Sequence, residues 1–208
     1  MGKAYRGDIR EGNLGKVENE NTVELAKKKP KTKEENIKEW IKDLLIAGIL
    51  ALIFLQFIMP TIVRQHSMEN TLNQNDYVFV SKKTYTWFGQ KLKLGDIIVF
   101  NSDLQTETGQ KKMLVKRVIG VAGDQVEIRN GYVYLNGEPL QEDYTKDGYT
   151  GGEMAAVTVP EGYIFVLGDN RQNSTDSRSE SVDFVSVDAV CGKVILRLFP
   201  ISRFGVVK

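Results

Sequence analysis

The longest apolar segment of the chain runs from Leu44 to Val63, without a charged residue and with one polar amide, Gln56. As an α-helix it would rise about 30 Å, the hydrocarbon thickness of a bilayer. We therefore predict one transmembrane anchor helix over residues 37–63. A cleaved leader is the alternative, but a long tail precedes the segment and no small-x-small site follows it, which favours an uncleaved anchor.

The charges that flank this segment predict its orientation. Residues 1–36 are rich in Lys, Glu, Asn and Gly and lack periodicity, which is typical of a disordered tail. Beyond the segment, Arg64 is followed by no further Lys or Arg until Lys82. Seven lysines lie close before it: Lys27, Lys28, Lys29, Lys31, Lys33, Lys38 and Lys42. This asymmetry predicts a cytoplasmic tail and an extracytoplasmic domain over residues 64–208.

After the anchor the pattern changes to short β-branched and aromatic runs separated by Gly, Asn and Asp, which indicates β-strands. Asn130-Gly131 is a strong hairpin signal, because both turn positions require positive φ. No later segment keeps a helical period, so we predict a mainly β domain, a sandwich or distorted barrel. The predicted strands are Tyr77–Val80, Asp96–Phe100, Met113–Ile119, Val126–Arg129, Tyr132–Leu135, Tyr163–Leu167 and Val194–Phe199.

The composition of the chain argues against several classes of function. The 208 residues are 41% hydrophobic and 26% charged with a net charge of +1, which indicates one globular domain with appendages. The domain lacks a basic footprint, so we expect no nucleic-acid partner. Cys191 stands alone in an apolar setting typical of a core residue. One His and one Cys without clustered ligand spacing imply no metal site, and we expect no cofactor.

Candidate chemistry begins directly after the apolar segment, at Ser67. A hydroxyl nucleophile needs a base that takes its proton. The only histidine, His66, precedes Ser67 immediately, and adjacent side chains of an extended segment point to opposite faces. We therefore interpret His66 as an exposed neighbour rather than as the base.

A lysine is the remaining candidate for the base. In the predicted third strand, Lys116 shares a face with Leu114 and Val118, while Arg117 lies on the other face. A lysine base must be desolvated, because its ordinary pKa of about 10.4 leaves it protonated near neutral pH. An edge lysine that extends its ammonium into water is an equally good interpretation of the same pattern.

A third polar cluster, residues 168–178, directly follows the predicted strand Tyr163–Leu167. Its short polar residues suit a solvated, hydrogen-bonded turn. Its two Arg and two Asp residues among hydroxyls are equally compatible with a group that orients a base.

These clusters, in this order behind an N-terminal anchor, closely resemble the type I signal peptidases of the bacterial Ser/Lys kind, peptidase family S26. The resemblance covers roughly residues 40 to 200. The matching segments are Ser67 to Leu72, Gly95 to Phe100, Lys116 to Gly120 with Gly123-Asp124, and Gly168 to Arg171 with Asn173, Ser174, Asp176, Ser177 and Arg178.

The resemblance implies a role for each matching residue. Ser67 would be the nucleophile, Lys116 the general base, and the Ser67 N–H an oxyanion donor. A second oxyanion donor would come from the position of Gln65, where many relatives have a hydroxyl. Supporting roles fall to Ser174, which would orient the lysine, to Asp169 near the site, and to the ion pair of Asp176 with Arg178.

Two positions differ from the residues that are usual in this family. Asn70 and Ala122 stand where relatives commonly have proline, and we expect Asn70 to leave the turn after Ser67 less rigid. Neither change removes a reacting group.

The family fold is an all-β catalytic core with a smaller inserted β region, expected at about residues 125–160. The substrate would add as a strand beside the segment before Lys116, with small side chains at the first and third positions before the cut. Trp87-Phe88 and the segment from Phe199 to Phe204 are candidates for contact with the bilayer surface, although core packing is the favoured role for any single aromatic.

The predicted function is a membrane-bound serine endopeptidase that removes signal peptides from exported preproteins through an acyl-enzyme. One alternative is a specialised peptidase for a single surface-protein substrate. Another is a catalytically silent, membrane-tethered partner-binding domain, which Gln65 and Asn70 motivate. A self-cleaving Ser/Lys regulator is a further alternative, which the anchor and the missing DNA-binding segment disfavour. The sequence does not determine the oligomeric state.

Overall fold

The computed structural model describes residues 32–82 and 91–207. Most of the predicted tail and the Trp87-Phe88 pair lie outside the described residues. The chain divides into two compact units, Met1–Ile49 and Leu50–Lys208.

The strands are β1 Ile58–Ile62, β2 Tyr77–Ser81, β3 Ile97–Gln105, β4 Lys111–Val121, β5 Gln125–Arg129, β6 Tyr132–Leu135, β7 Glu138–Pro139, β8 Met154–Thr158, β9 Tyr163–Leu167, β10 Val185–Ser186, β11 Val190–Phe199 and β12 Gly205–Val206. The helices are α1 Lys33–Phe57 and the short 3-10 helices Arg171–Asn173, Val187–Ala189 and Ile201–Arg203.

Helix α1 begins with a capping box. The Glu35 N–H donates to Thr32 Oγ1 at 3.3 Å, and the Thr32 N–H donates to Glu35 Oε2 at 3.0 Å. The helix is long and apolar enough to cross a membrane, with a mean hydropathy of 1.9 over its most apolar window.

The predicted bounds of this helix, residues 37–63, are wrong at both ends. The cap starts the helix at Lys33, and the helix ends at Phe57 because Ile58–Ile62 pairs with β2 instead. Pro60 cannot donate a ladder hydrogen bond, and it lies in an edge strand where none is needed. Val63 is 2% exposed and belongs to the core of the β domain, so the end of the apolar segment is not part of the helix.

The main sheet contains eight antiparallel strands in the order β1-β2-β11-β3-β4-β9-β10, with β12 paired to β11. Each of the seven predicted strands corresponds to a strand of the structure, and apart from one strand end the bounds agree within four residues. The exception is β3, which continues to Gln105 and pairs there with Lys111 of β4 after a shift in register. The pattern missed β1 and four short or weakly apolar strands, β7, β8, β10 and β12.

A second sheet, with strand order β7-β6-β5-β8, extends over Gln125–Thr158. Its β5–β6 hairpin turns at Asn130 and Gly131, whose φ values are 52° and 83°, as the hairpin signal requires. Neither sheet closes on itself, so the mainly β, distorted sandwich that the sequence predicts is confirmed.

The two faces of the main sheet are both covered. Along β3, Ile97 and Val99 pack into one hydrophobic cluster, and Ile98 and Phe100 pack into another on the opposite face. This explains why β3 opens with consecutive apolar residues rather than with alternation. On β4, Val115 packs on the first of these faces, which leaves the alternate residues of β4 on the second.

Candidate active site

The turn that carries Ser67 is fixed at both of its ends. Backbone hydrogen bonds join Val63 to Asp76 at 2.9 Å and Asn75 to Val63 at 2.8 Å. Beyond the serine, the Leu72 N–H donates to the Met68 carbonyl at 2.7 Å, and both of these side chains are at most 1% exposed. A tight turn anchored by buried apolar residues therefore holds Ser67 at the edge of the core.

Lys116 lies at the centre of β4, where it is paired with Ile98 of β3. Its side chain is 1% exposed, which excludes the interpretation as an edge lysine that reaches water. Lys116 Nζ donates to Ser67 Oγ at 2.6 Å and to the Val115 carbonyl at 3.1 Å. The structure thus joins the two residues that the sequence singles out, across 49 positions of the chain.

Burial lowers the pKa of Lys116 from 10.5 to about 8. Desolvation is the largest cause, because it penalises the ammonium and leaves the neutral amine almost unaffected. Asp176 and Asp169 oppose the shift, while the positive charge of Lys112 adds to it. A substantial fraction of the amine is therefore neutral at mildly alkaline pH, as a general base requires.

His66 has its side chain 49% exposed, in agreement with the sequence interpretation. Its Nδ1 contacts the Glu69 carboxylate, and no hydrogen bond joins it to Ser67 Oγ within the described part of the chain. Glu69 also pairs with Lys146 at 2.8 Å. The hydrogen bonds from Lys146 and His66 lower the pKa of Glu69, so this carboxylate stays ionised.

The loop after β9 returns to the nucleophile. The Asn170 N–H donates to the Ser67 carbonyl at 3.0 Å. Gly168 is required here, because a Cβ at this position would lie 2.5 Å from the same carbonyl oxygen. Asp176 accepts the Gly168 N–H at 3.0 Å and pairs with Arg178 at 2.8 Å, the ion pair that the resemblance implies.

Ser174 lies in the same cavity as Ser67 and Lys116. Its Oγ is buried and makes no hydrogen bond with any described group. The structure therefore brings this hydroxyl to the site but does not show the contact with Lys116 that the resemblance implies.

Asp169 is fully buried and does not reach the reacting atoms. It accepts from Arg117 Nε at 2.8 Å and Nη2 at 2.7 Å, and it also accepts from the Thr71 hydroxyl. The Arg117 guanidinium stacks 3.9 Å from the ring centroid of Tyr144. This bidentate pair ties β4 to the turn that carries Ser67.

Sequence reasoning missed Arg117, Thr71 and Tyr144 as parts of this support. The signal for Arg117 was present, since a cation on the second face of a doubly covered strand must find a buried partner. The identity of that partner depends on tertiary contacts that the pattern does not contain.

Two groups are available as oxyanion donors. The Ser67 N–H donates to none of the described acceptors, and Gln65 is half-buried beside it. The Gln65 amide likewise makes no hydrogen bond to a described residue, and it lines both cavities at the site.

Asn70 holds the turn after Ser67 by a route that proline does not offer. Its φ is 88°, whereas proline is restricted to about −65°. Its side-chain amide donates to the Tyr144 carbonyl at 3.0 Å and to the Thr145 carbonyl at 3.4 Å. Two hydrogen bonds therefore hold this turn in place of the proline ring that the resemblance leads one to expect, and the lower rigidity of the turn stays a prediction.

Two cavities flank the first half of β4. One has a volume of about 480 Å³ and lies on the face of Lys112, Leu114 and Lys116. The other, about 230 Å³, lies on the face of Met113 and Val115 and is mostly apolar. Ser67 lines both. Residues 32–82 and 91–207 contain no cluster of His, Cys, Asp and Glu that would hold a metal ion.

Comparison with known proteins assigns the class. The profile of the family described as signal peptidase, peptidase S26, matches residues 37–199. Signal peptidase I P of Bacillus subtilis subsp. natto is 37% identical over 84% of this chain and 96% of its own length. Probable signal peptidase I-1 of Synechocystis is 40% identical over 81% of this chain and 86% of its own length.

The chain belongs to the signal peptidase family, peptidase S26. A crystal structure of a signal peptidase I from Enterococcus faecalis is 35% identical and covers 50% of this chain and 97% of its own, with a TM-score of 0.41.

Proposed function

We propose that this protein is a membrane-anchored serine endopeptidase that removes signal peptides from exported preproteins with a Ser67–Lys116 dyad. One observation carries the proposal: a lysine that is 1% exposed has its amine 2.6 Å from a serine hydroxyl. Burial of this amine lowers the stability of the folded protein. A role as the general base explains why a lysine is nevertheless present at this buried position. Membership of the signal peptidase family supports the substrate class.

The reaction begins with the neutral amine of Lys116. It accepts the proton of Ser67 Oγ while this oxygen attacks the carbonyl carbon of the scissile peptide bond. The negative charge that develops on the carbonyl oxygen is stabilised by the Ser67 N–H and by the Gln65 amide. The ammonium then gives its proton to the leaving amine, and an ester on Ser67 remains.

Water completes the cycle. Lys116 takes a proton from the water that attacks the ester, and the proton passes to Ser67 Oγ as the acyl group leaves. The product is the carboxylate of the released signal peptide. Both half-reactions require an amine that gains and loses a proton near the working pH, which fits a pKa of about 8 caused mainly by desolvation.

The remaining site residues serve to hold these groups. Asp176 fixes the Gly168 N–H and pairs with Arg178, which keeps the loop against the Ser67 carbonyl. Asp169 locks Arg117, and thereby β4, to the nucleophile turn. The buried hydroxyl of Ser174 has no described hydrogen-bond partner and lines the same cavity as Lys116, and on this basis we assign it the role of orienting that amine.

Substrate binding by strand addition is supported by the pairing of β4. Strand β9 pairs with β4 only from Arg117 onward, and no described strand pairs that edge of β4 before Arg117. An extended peptide can therefore form main-chain hydrogen bonds there. The apolar cavity of about 230 Å³ then receives the first and third side chains before the cut, and its size selects small ones.

The anchor and its charges determine the location that we propose. Helix α1 spans the cell membrane once, the lysine-rich segment before it remains in the cytoplasm, and the β domain lies outside. The domain bounds are then residues 1–32 for the tail, Lys33–Phe57 for the anchor and residues 58–208 for the catalytic domain. The exposure of the apolar side chains of Ile201 and Phe204 supports the further proposal that this segment contacts the bilayer surface.

The test is cleavage of one preprotein by the full-length enzyme in detergent. Ser67→Ala and Lys116→Met each lose activity to the background rate, whereas His66→Ala keeps most of it. Labelling of Ser67 by an acylating inhibitor distinguishes an enzyme from a silent partner-binding domain. Loss of activity in His66→Ala, with an unchanged circular dichroism spectrum, would contradict the assignment of the base.

A further inference from the structure

The residue between the two small side chains of the substrate meets a different surface from its neighbours. Side chains of an added strand alternate between its two faces, as they do along β4 itself. If the first and third residues before the cut enter the apolar cavity beside Met113 and Val115, the second points to the opposite face. That face carries the larger cavity beside Lys112 and Leu114.

The wall of this larger cavity carries positive charges and no carboxylates. Arg64 and Lys112 contribute permanent positive charges to its wall, and both are exposed. The residues that line it include neither Asp nor Glu. Neither cation has a described carboxylate partner, in contrast to the neighbouring Lys111, which pairs with Asp103 at 2.9 Å. The permanently charged side chains that line this cavity are therefore all positive.

The cavity also offers apolar contact. Leu104 and Leu114 line it between the charged groups, so the methylene stem of a longer side chain can pack there while its end reaches a cation. A glutamate fits both features. A lysine would be repelled by Arg64 and Lys112 and would raise the electrostatic cost of protonating Lys116.

We propose that the second residue before the scissile bond is selected for an acidic side chain, with Lys112 as the residue that determines this specificity, because Lys112 lines only the larger of the two cavities at Ser67 whereas Arg64 lines both. This inference rests on the proposed function, because it assumes cleavage by strand addition at β4. It adds a charge preference at a position where the small-x-small pattern specifies none.

The test compares peptides that are identical except at this position, which carries Glu, Gln or Lys. The readout is kcat/KM with the full-length enzyme in detergent at low ionic strength. For the native enzyme we expect Glu to exceed Lys by about tenfold, equivalent to about 1.4 kcal/mol, and Gln to be intermediate. The preference should shrink as salt screens the exposed charges.

Lys112→Glu should reduce the Glu to Lys ratio to about unity or invert it, and Lys112→Gln should reduce it in part. The ratio is the correct readout, because Lys112 also influences the pKa of Lys116 through its charge, which affects all peptides alike. Lys111→Glu is the matched control: it makes the same charge change one residue away, outside the cavity lining, and should leave the ratio within about twofold.

The outcomes separate this inference from the function on which it rests. Equal cleavage of the Glu and Lys peptides by the native enzyme would overturn the charge preference and leave the peptidase intact. A ratio that Lys111→Glu changes as strongly as Lys112→Glu would show a general surface effect and overturn the role of the cavity. Failure to cleave any of the peptides, or a preprotein, would overturn the proposed function itself.

Discussion

Replacement of Lys116 by methionine tests the buried amine through stability rather than activity. Methionine has a similar length without the charge, and it suits a site between Leu114 and Val118 on the covered face of β4. If burial of the ammonium destabilises the native protein, the Lys116→Met protein should be more stable than the native one at neutral pH, although it has no activity.

The magnitude follows from the pKa of Lys116, which desolvation lowers from 10.5 to about 8. A difference of this size corresponds to about 3 kcal/mol of lost stability when the group is protonated. The substitution also removes the hydrogen bond to Ser67, which offsets about 1 kcal/mol. We therefore expect a net gain of about 2 kcal/mol at pH 7, or a rise in Tm of about 4–8 °C.

The sign of the pH dependence is determined by proton binding. Between about pH 8 and 10.5 the unfolded chain holds a proton on Lys116 that the folded protein has released, so native stability rises with pH over this range. The Lys116→Met protein lacks this pH-dependent contribution to the free energy of unfolding. Its higher stability relative to the native protein should be fully present below about pH 8 and should disappear by about pH 10.5.

The assay is thermal unfolding of the full-length proteins in detergent, followed by circular dichroism from pH 7 to 10.5. Other groups titrate equally in both proteins and cancel in the difference. Lys111→Met, at an exposed position of the same strand, serves as the control and should shift Tm by little at any pH. A Lys116→Met protein that is less stable than the native one, by an amount independent of pH, would refute the reasoning.

Three further substitutions test the support of the site. Gly168→Ala should reduce kcat at least tenfold with intact folding. The added Cβ would lie 2.2 Å from Ser174 Oγ and 2.5 Å from the Ser67 carbonyl oxygen, so both groups must move; activity and circular dichroism check this. Asp169→Asn should cost about 3–5 kcal/mol in denaturant unfolding, because it leaves the buried Arg117 without its carboxylate. Asn70→Pro should lower Tm, because proline cannot adopt the φ of 88° that Asn70 has. An unchanged Tm would mean that the turn can rearrange.

The sequence predicts the strands well because their pattern is local. Tyr132–Leu135 and Tyr163–Leu167 have the same bounds in sequence and structure, since turn residues limit each of them on both sides. The end of the helix is not local. Ile58–Ile62 is as apolar as the helix before it, and only pairing with Tyr77–Ser81 turns it into a strand.

In the candidate site, too, the sequence predicts what depends on local pattern and misses what depends on tertiary contacts. Alternation along β4 limits Lys116 to a burial or an edge role, and the resemblance favours burial as a base. The pattern did not predict that Arg117, on the other face, holds Asp169 across 52 positions of the chain. It also did not predict that Asn70 would replace a proline ring with hydrogen bonds to the segment after β7, because both contacts join parts of the chain that only the fold brings together.

The most direct test of the central claim is the pH dependence of Ser67 acylation by a covalent inhibitor, measured as a rate with the full-length enzyme. A neutral Lys116 as the base predicts a rate that rises with pH, reaches half its maximum near pH 8, and is lost in Lys116→Met but not in His66→Ala. A half-maximum near the ordinary histidine value of about 6.5 that disappears in His66→Ala would contradict the claim, and so would acylation that persists without Lys116.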